Sequence, residues 1–480
     1  MRKVLLLGAG PTNLATADRL LSRGGHEVEI IERLPWAGGL SKSLKHGPYT
    51  LDLGPHRFTP HTDEVYQYVK NLPGVDLQIT NQIVEIWLEN KFLNYPFRLG
   101  ELLTKFKPQK SLRIGASMIA ANCAKTFTPE AKNYKEWVSQ RFGNETANMV
   151  FKPLIEKVWG TPLEDLSARF AYQRIAISSL WELLIDIIRG KRKAEYSSPY
   201  YPQNTFLYPK AGFESITEGM VQEIKRKGGK FRYESTVKKI NIKQGRALSV
   251  EFETAGGQRE TLTADRIVST LPISLLPEMM NPAIESANFA QAAKNLKFRS
   301  LVLLYLVAKK DRVTHNTSMY FPGPSFPFGR TAEQKNHSET TVVSPDGKPR
   351  SVLTVELPCW RDDTTWKATD EDLLKRVMKS FEPCKILKAE DIEEYFTVRL
   401  GYVYPVWDLD FEKNVATILE RIDPIENLIL NGRPGLFFYN NIHHSLEMGF
   451  IAAEHILSGK PKQEKWLKDS QLFRDYHLVE

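Results

Sequence analysis

"RKVLLLGAGPTNLATADRLL" (residues 2–21) begins with two positive charges and an apolar run, the outline of a secretory signal. The glycines argue otherwise. Val4 to Leu7 read as a short buried strand, and Gly8-Ala9-Gly10 follow at once. Apolar residues then recur at helical spacing (Leu14, Ala17, Leu20, Leu21) up to Gly24-Gly25. A second strand, Glu27 to Ile31, ends on Glu32. Strand, glycine turn, helix, strand and acid is the order of a dinucleotide-binding βαβ unit. A cleaved signal explains neither the second strand nor its terminal acid, so the segment is expected to be retained.

The chemistry of the turn is specific. Gly8 and Gly10 let the backbone turn tightly and approach a pyrophosphate at a helix N-terminus, and Glu32 can accept hydrogen bonds from a ribose diol. The third glycine of the fingerprint is replaced by Asn13. Further pieces strengthen the pattern. "ERLPWAGGLSKS" (32–43) supplies Gly38-Gly39, and "YTLDLGPHRF" (49–58) supplies Gly54, Pro55 and His56. "GGKFRYESTVKKI" (228–240) reads as a turn and strand, and "ADRIVSTLP" (264–272) as a buried strand. Together these resemble the FAD domain of the glutathione-reductase-like flavoproteins, a group that includes amine oxidases, protoporphyrinogen oxidases, phytoene desaturases and UDP-galactopyranose mutases.

The resemblance implies an α/β fold: a discontinuous FAD-binding Rossmann domain (1–75, 205–285 and 425–460) with a helical insertion and an antiparallel substrate-binding sheet. The helical part is expected over 100–195. Residues 290–420 are rich in strand-forming runs such as "SLVLLYLVA" and "SVLTVEL". The tail, 461–480, reads as a peripheral helix. Bulk properties agree: 480 residues allow two or three domains, and 42% hydrophobic with 25% charged residues is ordinary for a soluble protein. No eighteen apolar residues run uninterrupted, so a spanning helix is not expected and a cytoplasmic location is. Cys123, Cys359 and Cys384 are far apart and pair with no obvious His cluster, which suggests a reduced compartment without a disulfide framework or a zinc site. A net charge of +8 favours anionic partners. Nucleic acid is not among the expected ones, because no arginine-rich tract or recognised module is present.

Within the flavoproteins the chain resembles the UDP-galactopyranose mutases over nearly its whole length. "LDLGPHRFTPHTDEVYQYV" (51–69), "NKFLNYPFRL" (90–99) and "FKPLIEKVWGTPLEDL" (151–166) are similar to that family's segments. So are "FGRTAEQKNHS" (328–338), "GYVYPVW" (401–407) and "NGRPGLFFYNN" (431–441). The resemblance implies FAD held by Gly8, Gly10, Asn13, Glu32, Arg33, Gly39, Leu40, Gly54, His56, Val237, Arg433 and Met448. It implies a nucleotide-diphosphate sugar as substrate, held by Trp159, Arg174, Arg330, Tyr404 and Tyr439. Arg174 and Arg330 would grip the diphosphate through guanidinium forks, the tyrosines would add hydroxyl donors, and His56 would lie beside the flavin and orient it. The implied reaction exchanges pyranose and furanose forms, with N5 of reduced flavin as nucleophile at the anomeric carbon and NAD(P)H one source of electrons.

Three features depart from the family pattern. Arg57 follows His56 where an apolar residue is usual, and Asn441 stands in place of an aspartate. "YNNIHHS" (439–445) carries an adjacent pair, His443-His444, whose side chains are expected to diverge, so no metal site is expected there. A rival reading also stands: an oxidoreductase of the protoporphyrinogen oxidase, amine oxidase or desaturase type acting on an apolar substrate. For it, "SSLWELLIDIIRGKRK" (178–193) would give an amphipathic helix and leave room for peripheral membrane contact. The two readings differ at the arginines. A mutase needs them converging on a diphosphate, whereas an oxidase of hydrophobic molecules lines that space with apolar groups.

Overall fold

The computed structural model describes residues 1–95, 101, 105–124, 128–175 and 198–478. The amphipathic stretch expected over 178–193 lies outside them.

The first strand, β1 (Arg2–Leu7), is followed by helix α1 (Pro11–Arg23) and strand β2 (His26–Ile31), in the expected order. The last four residues of both strands are buried, as apolar runs in a parallel sheet covered on both faces should be. Five parallel strands lie in the spatial order Leu428–Leu430, Arg266–Ser269, β1, β2, Lys230–Arg232. Three of them arrive from distant parts of the chain, so the domain is discontinuous. A smaller sheet beside it is built from Arg259–Thr263, Arg246–Glu253, Thr236–Lys243 and Met280–Asn281.

Helix α1 packs against the helix Ile442–Ser458 at very short range. Gly449 is the contact: an added Cβ would run into Thr12 O and Ala15 Cβ. Thr16 Oγ1 donates to Gly449 O at 3.1 Å. This approach draws the C-terminal helix over the nucleotide-type sheet.

The second domain is a seven-stranded sheet in the order Ile392–Pro405, Phe298–Ala308, Ser351–Cys359, Arg330–Glu333, Ser318–Tyr320, Val84–Leu88, Lys91–Asn94. Its pairs are antiparallel except Ser318–Tyr320 with Val84–Leu88. The sheet therefore reaches beyond 290–420 and recruits a hairpin from residues 84–94, whose Val84, Ile86, Leu88 and Leu93 are buried together with Tyr320. Helices Pro108–Ala124, Tyr134–Phe142, Lys152–Trp159 and Ala168–Arg174 form the helical insertion. The tail forms one helical turn (Trp466–Asp469) and a 3₁₀ segment (Ser470–Asp475) in place of a longer helix. It is anchored through buried Trp466, Phe473 and Leu478. No helix among the described residues is long and apolar enough to cross a membrane.

Candidate active site

The glycine turn forms a cradle. Gly8 has φ +93°, a conformation side chains resist. Gly10 caps α1 without a side-chain hydrogen bond, and no atom lies within 4 Å of where its Cβ would be. The second glycine turn closes on the first: Gly38 N–H donates to Ala9 O at 2.8 Å, and a Cβ on Gly39 would stand 3.5 Å from Gly10 Cα. Open backbone N–H groups at a helix start, beside space that a side chain would fill, suit a pyrophosphate. The Glu32 carboxylate accepts from Ala9 N–H (2.8 Å) and Leu34 N–H (2.9 Å). Two backbone donors thus fix its orientation, with lone pairs left for a ribose diol.

Asn13 explains why the third glycine can be absent. Its buried amide donates to Leu7 O (3.0 Å), Gly8 O (2.9 Å) and Thr270 Oγ1 (3.2 Å). Where the fingerprint relies on close approach, this chain uses a side chain that clamps the end of β1 to the neighbouring strand.

The expected substrate residues come together in one wall. Trp159 ends its helix at Gly160, Arg174 ends the helix Ala168–Arg174, Tyr404 ends the long strand Ile392–Pro405, and Tyr439 follows the turn Gly432–Gly435. The Trp159 ring sits 5.1 Å from Tyr404 and 5.5 Å from Tyr439, edge-on to both. It has no exposed surface, so it backs the tyrosines and presents no open stacking face. The Arg174 guanidinium carbon lies 5.2 Å from the Tyr439 ring and 5.5 Å from the Trp159 ring. The Arg433 guanidinium carbon also lies against the Tyr439 ring, at 4.3 Å. Its guanidinium donates to Asn440 O (3.1 Å) and Val403 O (2.6 Å), which straps the Tyr439 loop to the Tyr404 strand. Burial, together with the charge of Arg174, pulls the Arg433 pKa down.

Arg330 differs from the expectation of a diphosphate fork held open. It stands directly across an antiparallel pair from Glu356. Their groups form a bidentate ion pair, Nε to Oε2 and Nη2 to Oε1, each 2.9 Å. Burial opposes the charge, but Glu356 holds the Arg330 pKa well above its ordinary value. Gly54 belongs to this arrangement. With φ +98°, its missing Cβ would stand 2.9 Å from Glu356 Oε1. His56, two residues on, stacks on Phe213 at 4.8 Å. Burial and the nearby charges of Arg330, His337 and Arg433 push its pKa down to about 3, so the ring is neutral at physiological pH. Burial and Glu356 raise the Tyr404 phenol, which stays protonated and able to donate.

The other expected cofactor residues are scattered. Met448 is buried, and its sulfur accepts from Asn440 Nδ2 at 3.0 Å. Val237 is buried in the smaller sheet, Leu40 packs under the large sheet, and Arg33 is exposed just past Glu32. Arg57 is half-buried with its guanidinium 5.7 Å from the Phe206 ring.

Glu356 was not expected, although a lone acid in the apolar strand Ser351–Cys359 is a readable signal. The buried group around Asp52 was also missed. Its carboxylate accepts from Ser43 Oγ and Tyr208 Oη, each at 2.6 Å, and burial raises its pKa to about 6. Nothing in the local sequence pairs these residues, because the network is assembled by the fold.

A flavin dinucleotide fits these residues. The cradle has room at Gly10, and His56 Nδ1, Trp159 Nε1 and Arg433 Nε are buried polar atoms without a protein partner. Comparison with known proteins points the same way. The solved structure of reduced UDP-galactopyranose mutase superposes with a TM-score of 0.80 at 21% identity, covering 96% of each chain. Putrescine oxidase bound to putrescine gives 0.61 at 12% identity, covering 95% of this chain and 99% of that one. Among curated proteins, coproporphyrinogen III oxidase of Staphylococcus aureus (strain NCTC 8325 / PS 47) is 23% identical over 51% of this chain and 56% of its own length. The 1-hydroxycarotenoid 3,4-desaturase of Flavobacterium sp. (strain P99-3) is 24% identical over 53% of this chain and 54% of its own length. The chain thus spans about half the length of these two curated relatives. The profile of the flavin containing amine oxidoreductases matches residues 14–459, nearly everything from α1 to the end of the C-terminal helix, and the chain belongs to that family, with FAD as its cofactor.

Proposed function

We propose that this FAD enzyme is a mutase that exchanges the pyranose and furanose forms of a nucleotide-diphosphate sugar. The observation that carries the reading is the wall itself: Arg174 and Arg433 lie against the Tyr439 ring, Tyr404 packs beside it, and Arg330 acts on Tyr404 from its pair with Glu356, the one carboxylate named there among the described residues. A cationic, phenol-bearing wall suits a departing diphosphate and is a costly lining for an apolar substrate. FAD supplies, when bound and reduced, the nucleophilic nitrogen for the anomeric carbon. The chain's own task is then to hold the leaving diphosphate while it is detached. Arg174 and the protonated Tyr404 hydroxyl donate to it, Arg330, its charge balanced by Glu356, offers the N–H groups outside that pair, and neutral His56 gives a hydrogen-bonding edge without a competing charge. One such donor is worth about 3 kcal/mol of barrier, or roughly a hundredfold in rate.

A second reading, an FAD-dependent oxidoreductase, is favoured by the names of the sequence relatives, coproporphyrinogen III oxidase and 1-hydroxycarotenoid 3,4-desaturase. One experiment separates the two. Holoenzyme reduced anaerobically is mixed with a panel of nucleotide-diphosphate sugars, and isomers are resolved by chromatography. Furanose product that requires reduction supports the mutase, and Arg174→Ala should then lose about a hundredfold in turnover with FAD retained. Failure of every sugar to react, with oxidised enzyme passing electrons from an apolar substrate to oxygen or a quinone, establishes the oxidoreductase.

A further inference from the structure

We propose that His61, His443 and His444 form a binding site for a zinc-like divalent cation. Such an ion ties the loop that follows His56 to the head of the helix Ile442–Ser458.

The sequence argued against a metal here because neighbouring helical side chains diverge by about 100°. The structure arranges these two otherwise. They are the second and third residues of the helix, and their ring centroids are only 4.0 Å apart. His61 approaches from the loop before the helix Asp63–Lys70, with its ring 4.6 Å from His443 and 5.8 Å from His444. One nitrogen from each of the three lies within 4.8 Å of the others, the one such group among the described residues.

The state of the nitrogens points to a ligand. His443 has no exposed surface, and its Nε2 is buried without a hydrogen-bond partner, while Nδ1 lies 3.5 Å from Thr59 Oγ1. An orphaned buried nitrogen is a standing cost that a coordinated ion would remove. His444 stacks on Tyr476 at 4.3 Å and makes one long hydrogen bond, its Nδ1 accepting from Asn441 N–H at 3.3 Å. Releasing that bond lets the ring take the Nδ1–H tautomer and offer Nε2. Glu447, one turn along the same helix, accepts from the hydroxyl of Thr62, the residue after His61, at 3.3 Å, a further tie between the loop and the helix.

Three imidazoles without a thiol select a borderline ion such as Zn²⁺ or Co²⁺ over Mg²⁺ or Ca²⁺. Ligands at about 2.1 Å in a tetrahedron stand about 3.4 Å apart, so the cluster must contract slightly. His61 is exposed and can make that movement, which also leaves an entry path and an open fourth position.

The test uses untagged, FAD-loaded protein stripped with a chelator and dialysed against Zn²⁺, with Co²⁺ as a spectroscopic probe at wavelengths longer than flavin absorption. One Zn²⁺ per chain is expected, together with visible bands of tetrahedral Co²⁺. His61→Ala, at an exposed position, should weaken Zn²⁺ by more than the about 10- to 100-fold typical of losing a mere supporting contact, with FAD content unchanged. His443→Gln, if it folds, should do the same. Absence of saturable one-to-one binding, or wild-type affinity in His61→Ala, overturns the site.

Discussion

Replacing Glu356 by glutamine tests the tie between stability and ligand binding at Arg330. The ion pair is bidentate at 2.9 Å, its carboxylate side chain is 6% exposed, and Arg330 has no other acidic partner among the described residues. Glutamine keeps the shape and one acceptor oxygen but removes the counter-charge. Removing one member of a buried pair costs about 3–5 kcal/mol, and the retained acceptor places this variant near 3. The FAD-loaded variant should therefore unfold at lower urea, with a midpoint shift equivalent to about 3 kcal/mol. The same change leaves a buried guanidinium in need of an anion. If Arg330 meets the diphosphate, UDP supplies the missing charge, and saturating UDP should stabilise Glu356→Gln more than wild type. Urea titrations of both proteins, each with and without UDP, give all four corners of the cycle. A variant as stable as wild type would refute the energetic role of the pair. A UDP increment no larger than in wild type would refute contact between Arg330 and the diphosphate.

Gly10→Ala should leave the fold intact, because its φ of −76° and ψ of 170° suit alanine and no atom lies within 4 Å of the new methyl. That methyl occupies the cradle, so FAD affinity should fall at least about tenfold, read by flavin release on dilution. Asn13→Ala leaves Gly8 O without its donor, while Leu7 O keeps the Thr270 N–H and hydroxyl, and should cost about 1–3 kcal/mol in urea unfolding. Acid should destabilise the protein from about pH 6.5 downwards. His56, His337 and His444 have pKa values lowered to about 3, 4 and 3, so below 6.5 the unfolded chain binds protons that the native one refuses. Each costs about 1.4 kcal/mol per pH unit until its native pKa is reached. Asp52, raised to about 6, opposes this between pH 6 and 3.8, joined by Glu333, Asp408, Asp423 and Glu447, which burial also raises. His455, lowered to about 4, and His61 and His443, also lowered, add to the loss, so six lowered histidines stand against five raised carboxylates. A melting temperature that does not fall between pH 6.5 and 4.5 would contradict this account.

The nucleotide-type half was legible because its chemistry is local. A glycine turn, the strand before it and the acid after it fall within thirty residues, and each residue type has one geometric reason to be there. The strand in 264–272 was legible as a buried run and 228–240 as a turn and strand, although the sequence does not say that 228–240 feeds two strands, Lys230–Arg232 and Thr236–Lys243, into two sheets. The site was legible as a set of residue types but not as partnerships. Arg330 and Glu356 are 26 positions apart, and only strand register brings them face to face. The 84–94 hairpin was unassigned for the same reason, since its place in the large sheet depends on pairing with Ser318–Tyr320. Helical periodicity misled at His443-His444, because it describes the direction in which a side chain departs and not where a ring at a helix end comes to rest.

The order of strands in the parallel sheet bears on how the protein can be made. β1 leaves the ribosome long before Leu428–Leu430, yet the sheet is not complete until that strand has paired with Arg266–Ser269. For most of synthesis the nascent chain therefore carries a buried-type apolar sheet with one side unfilled, open to pairing with a stranger. Long-range closure of this kind is slow. Yield in the cell should then depend on chaperone supply and translation speed more than on the stability of the finished molecule. Fragments ending before residue 430 should accumulate as insoluble material however well their first domain is encoded.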